Sequence, residues 1–120
     1  MPMALGLGVG LSFTQNGRSQ SVEDVLCEAI ANNVLITAKF DGAFIMFAPL
    51  VLYVRVGVLY VDGLLETDLP AHGNKPPTVA SWEVSELSAA SPSQTTFTVH
   101  PRLVPVLRRY QNVKCIVSTV

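Results

Sequence analysis

Charge is scarce in this chain. Only 14% of its 120 residues are Asp, Glu, Lys or Arg, against about a quarter in ordinary globular domains. Eight basic and nine acidic residues leave a formal net charge of −1. A general polyanion binder needs a basic excess, and none is present. So few charges cannot cover the outside of a monomer of this size. Part of the apolar surface is therefore expected to be hidden in a homo-oligomer, of which a dimer is the commonest closed form. Cysteine is nearly absent too. Cys27 and Cys115 are too few and too far apart along the chain for a disulfide framework or a zinc site, so two reduced thiols in a cytoplasmic protein are expected. The only histidines, His72 and His100, lack ligand spacing, and no metal or cofactor is expected.

What the chain has instead is apolar residues, at 49%. They concentrate in Val34–Leu65, a stretch almost free of charge and reversed at Asp41-Gly42 and at Gly57. Asp-Gly between apolar runs is a strong hairpin signal, because glycine accepts the positive φ of a tight turn. Three strands are predicted: Val34–Phe40, Phe44–Tyr53 with a break at Pro49, and Val58–Leu65. A membrane span over Ala43–Val61 is the rival reading. It would place Arg55 inside the bilayer at a cost of about 2.5–3.5 kcal/mol. Pro49 and Gly57 also interrupt it, and its Val, Tyr, Phe and Ile residues fit strands. No membrane association is expected.

Before this core, Leu5, Leu7, Val9, Leu11 and Phe13 alternate with glycine and serine, a two-residue period that predicts a strand with one bare face. Such a strand suits contact with a neighbouring subunit. The glycines are not followed directly by a helix, so they do not form a phosphate-binding loop. Ser21 then caps a predicted helix, with Glu23 and Asp24 in its first turn. Val22, Val25, Leu26, Ala29 and Ile30 form its apolar stripe, and Asn32-Asn33 ends it. After the core, Glu66–Pro77 reads as a loop. Thr78–Ala90 reads as a strand bent near Leu87, with Ala80, Trp82 and Val84 on one face. Ser91-Pro92-Ser93 reads as a turn, Thr95–Val99 as a short strand and Asn112–Val120 as a closing strand.

The order of elements resembles the WYL domain family. The resemblance rests on Phe40-Asp41-Gly42 as the hairpin, Pro49 nine residues on, the strand Arg55-Val56-Gly57-Val58-Leu59-Tyr60-Val61, the late strand Trp82-Glu83-Val84-Ser85-Glu86-Leu87, and Phe97. It implies a mainly β domain with one helix in its N-terminal half, built as a small, bent β-barrel of the SH3 or Sm type. On that reading, residues 1–120 form a single domain: an apolar strand over 1–17, the WYL-like helix and barrel over 21–99, and a C-terminal extension over 100–120. WYL domains mostly occur in bacterial regulators, where the barrel is thought to sense a ligand or bind nucleic acid through basic residues. The chain departs from that pattern at the basic positions. Ile45 stands where an arginine usually follows the hairpin glycine. Glu83 and Glu86 replace the two arginines of the late motif, and Ser85 its aspartate. Carboxylates in place of cations reverse the sign of a polyanion interaction, so nucleic acid is not the expected partner.

Two function classes follow. The first is a non-catalytic module that senses a small ligand or binds a protein partner, with Arg55, Tyr60, Trp82, Glu83 and Glu86 near its pocket. The second is a small oligomeric enzyme with a pocket between subunits, where Asp62, His72 or His100 would be the acid–base groups. A carboxylate or histidine buried in a pocket with a shifted pKa separates the two classes. Nucleic-acid binding through Arg102, Arg108 and Arg109 would need aromatic platforms beside them, and Tyr110 is the only aromatic adjacent.

Overall fold

The computed structural model describes residues 21–69 and 78–118. The predicted strand at Leu5–Phe13, His72 and most of the Glu66–Pro77 loop lie outside those residues. Helix α1 spans Val22–Asn32 and begins where predicted, because the Ser21 side chain accepts the backbone N–H of Asp24 at 3.1 Å. It ends at Asn33, whose left-handed φ of 54° lets its N–H close on the carbonyls of Ala29 and Ile30. Asparagine tolerates that conformation better than most side chains do. Val25, Leu26, Ala29 and Ile30 are buried.

The strands are β1 (Val34–Phe40), β2 (Ala43–Arg55), β3 (Val58–Leu65), β4 (Ala80–Glu83), β5 (Leu87–Thr96) and β6 (Val113–Ile116). All pair antiparallel in one six-stranded sheet of order β4-β3-β2-β1-β5, with β6 joined to β2. The domain is mainly β, and the sheet is open. Its end strands β4 and β5 follow one another in the chain, joined by the 3₁₀ turn Val84–Glu86. No helix among the described residues is long and apolar enough to cross a membrane, and the candidate span Ala43–Val61 folds as β2, the turn after it and the first half of β3.

Several expectations are corrected. Pro49 does not break its strand: β2 runs through it for 13 residues. The missing proline N–H is absorbed by a register shift between Pro49 and Val51 against β3, a bulge that bends the strand. On the opposite edge β1 covers β2 up to Phe47, and β6 takes over at Val51–Tyr53. Ser91-Pro92-Ser93 is no turn either. It lies inside β5, with Ser91 opposite Thr37 and Pro92 opposite Ile36. Proline is acceptable there because β5 is an edge strand. The bend expected near Leu87 comes earlier, in the 3₁₀ turn, and the closing strand is only four residues long.

The cysteines bring the largest correction. Cys27 in α1 and Cys115 in β6 form a disulfide across 88 residues of sequence, with their Cα atoms 5.6 Å apart. The expectation of two reduced thiols does not hold.

Both hairpin turns have positive φ at both central residues, 51° and 81° at Asp41-Gly42 and 51° and 75° at Val56-Gly57. Two-residue turns of that form match strand twist, and asparagine or aspartate followed by glycine suits them. Val56 does not suit its position, since a β-branched side chain in the left-handed region costs about 1–2 kcal/mol. It is also 95% exposed, so no packing offsets that cost. Val56→Asn is expected to stabilise the domain by about 1 kcal/mol, read as a higher urea midpoint. An unchanged or lower midpoint would show that the turn is unstrained.

Candidate functional site

In β3 the alternation of side chains brings Tyr60 and Asp62 to one face, and the ladder places Tyr53 of β2 opposite Tyr60 and Ser81 of β4 opposite Asp62. Arg55 lies two residues beyond Tyr53 and so shares its face. Asp62 is the one charged side chain buried among the described residues, at 6% exposure. A buried carboxylate is costly unless its oxygens are satisfied, and here three hydroxyls satisfy them. Tyr53 Oη donates to Asp62 Oδ1 at 2.9 Å, Ser81 Oγ donates to the same oxygen, and Tyr110 Oη donates to Oδ2. Among the described residues no cation pairs with Asp62 directly.

Tyr110 arrives from the C-terminal segment. A 3₁₀ turn at Pro101–Leu103 leads into the short helix α2 (Val104–Leu107), which buries Leu103 and Leu107. The chain then crosses the end of the sheet, and the carbonyl of Asn112 accepts the N–H of Val54 at 3.1 Å. Tyr110 packs edge-on against Tyr53 with ring centroids 5.0 Å apart, and Tyr53 stacks on Tyr60 at 5.8 Å. The Arg55 guanidinium sits 4.7 Å above the Tyr60 ring, within cation–π range.

Between these parts opens a cleft of about 490 Å³, within the size range of small-molecule sites. Tyr53, Asp62 and Ser81 form one side. Arg109, Tyr110, Gln111 and Asn112 form the other, and Arg55 stands at the rim. Its ionisable lining comprises two arginines and one carboxylate, alongside the two tyrosines.

The phenols respond to this setting. Burial pushes Tyr53 above its ordinary value of 10.0, and the Asp62 carboxylate adds to the rise while Ser81 opposes it. Burial also raises Tyr110, followed by its hydrogen bond to Asp62. Unfolded phenols ionise near pH 10 while the folded ones hold their protons. Above pH 10 the unfolded state therefore binds fewer protons, and stability falls as pH rises. The urea midpoint is expected to drop from pH 9 to pH 11, and Tyr110→Phe to shallow that slope. An equal slope in the variant would contradict the coupling.

Of the residues expected near a pocket, the structure brings Arg55 and Tyr60 together beside this cleft. Glu83 stands opposite Tyr60 in the ladder and accepts a hydrogen bond from Ser85 Oγ at 2.5 Å. Trp82 alternates to the other face of β4. It is buried against Phe47, with ring centroids 4.5 Å apart. Glu86 is exposed in the 3₁₀ turn. His100 Nδ1 accepts the backbone N–H of Arg102 at 3.1 Å and so caps the next turn. Ser81 and Tyr53 were not foreseen as site residues, and Arg109 and Tyr110 were weighed only for nucleic acid. Of the residues expected from the sequence, Arg55 and Asp62 line the cleft and Tyr60 stands beside it.

Nothing matched. Comparison with protein-family models, with curated proteins and with solved structures returned no similar protein. The likeness to the WYL family therefore rests on the motifs and their spacing alone.

Proposed function

We propose that the chain is a non-catalytic binding module, a WYL-like small barrel, and that it takes a small monoanion with a flat apolar body in the cleft beside Asp62. The observation that carries this is the lining itself. Arg55 and Arg109 against the single carboxylate of Asp62 leave one net positive charge, and Tyr53 and Tyr110 line the cleft beside them. Asp62 acts in this reading as a fixed acceptor that holds the two phenols in place, with its lone pairs largely taken by hydroxyl donors. Arginine suits a carboxylate or phosphate because its planar fork can donate two parallel hydrogen bonds. What supports the barrel is the short 3₁₀ link between the two end strands of the sheet.

Nucleic acid is not the partner in this reading, because Glu83 and Glu86 hold the positions of the resembled motif's cations. Exposed apolar side chains, among them Phe44 at 68% and Ile116 at 40%, support a homodimer that would cover them. Benzoate is a suitable probe of the cleft. It is expected to raise the melting temperature of the native chain, as any ligand selective for the folded state does, and Arg55→Ala is expected to abolish the rise. A benzoate effect that survives in both Arg55→Ala and Arg109→Ala would overturn the reading.

A further inference from the structure

The wall of the cleft formed by Arg109–Asn112 runs directly into β6, and β6 has little burial of its own. Val113, Lys114 and Ile116 are exposed, leaving Val117 as the buried side chain that follows the strand. Its ladder with β2 consists of three residue pairs and contains a register shift. A strand this short and this exposed at a sheet edge depends on the ties around it; the N–H of Val54 donates to Asn112 at 3.1 Å and that of Val117 to Leu50 at 2.9 Å on either side of it. It packs alongside α1, and two side-chain links among the described residues join them. One is the exposed ion pair between Lys114 and Glu23 at 3.7 Å, a type of contact that contributes little. The other is the Cys27–Cys115 disulfide, whose two residues are both partly exposed.

We propose that this disulfide is a redox latch on the cleft: reduced, it frees β6 and the adjoining Gln111–Asn112 end of the wall, while Tyr110 stays on Asp62. The reductant is a dithiol. One of its thiolates attacks a sulfur of the bridge, a mixed disulfide forms, and the second thiolate displaces the protein sulfur. Two electrons and two protons pass to the protein, giving Cys27 and Cys115 as thiols and the dithiol as a cyclic disulfide. The latch regulates the cleft, so its functional meaning rests on that cleft being the binding site.

The test uses the native chain, oxidised or treated with dithiothreitol, and two lysines that both lie on exposed positions of strands. Lys114 is in β6 and Lys39 in β1. Reduction is expected to speed tryptic cleavage after Lys114 at least tenfold more than cleavage after Lys39, which follows only the loss of global stability. Benzoate affinity is expected to fall at least fivefold in the same samples. The double variant Cys27→Ser, Cys115→Ser should match the reduced protein with or without dithiothreitol. Cleavage after both lysines accelerating in step would show a general staple and overturn the latch, as would no acceleration after Lys114. If Lys114 alone is released but benzoate binds neither state, the latch stands and the reading of the cleft falls.

Discussion

Asp62→Ala is expected to lower the unfolding free energy by about 2–4 kcal/mol, a fall in melting temperature of about 10 °C for a domain of this size. The carboxylate is the common acceptor for Tyr53, Ser81 and Tyr110. Removing it leaves the buried Tyr53 hydroxyl without a partner, and a buried unsatisfied group costs about 1–3 kcal/mol. Ser81 is exposed and Tyr110 half-buried, so water compensates them in part. Asp62→Asn keeps one acceptor oxygen and should cost less. Thermal unfolding of both variants checks this order. Equal stability of Asp62→Ala and the native chain would mean that the carboxylate is solvated and the cluster does not hold the C-terminal segment.

Reduction of the disulfide is expected to cost about 3–4 kcal/mol of global stability. The bridge spans 88 residues, and closing a loop of that length in the unfolded chain removes several kcal/mol of conformational freedom; residual structure lowers the observed effect. The melting temperature under dithiothreitol should fall by about 10–15 °C. Melting curves that superimpose with and without the reductant would show that the bridge adds nothing to the native chain.

The fold was largely legible where local chemistry decides it. Strands β1 and β3 span the residues predicted from their apolar runs, and Asp41-Gly42 and Gly57 mark the two turns. Ser21 and the stripe Val25, Leu26, Ala29 and Ile30 specify α1. Errors arose where partners distant in sequence decide. Pro49 reads as a breaker in isolation, but a bulge against β3 absorbs it. Ser91-Pro92-Ser93 reads as a turn, but an edge position beside β1 makes it strand. Cys27 and Cys115 read as unrelated thiols because sequence separation says nothing of a 5.6 Å Cα distance.

The site was legible only in fragments for the same reason. Arg55 and Tyr60 entered through the resemblance to the WYL motif, and Asp62 as one of three candidate acid–base groups. Tyr110 meets Asp62 from 48 residues away, and no periodicity within either segment encodes that meeting. Trp82 looked like a pocket residue, yet the pleat turns it to the core against Phe47. Side-chain identity alone could not show which face of β4 meets the cleft.

Whether the cleft beside Asp62 binds a ligand is read from an amide chemical-shift titration of the oxidised chain with benzoate. Saturable shifts are expected only at Tyr53–Val56, Asp62, Ser81 and Arg109–Asn112, lost in Arg55→Ala while that variant keeps the native spectrum elsewhere. Saturable shifts centred on another face, or none up to high millimolar benzoate, would contradict the proposed site.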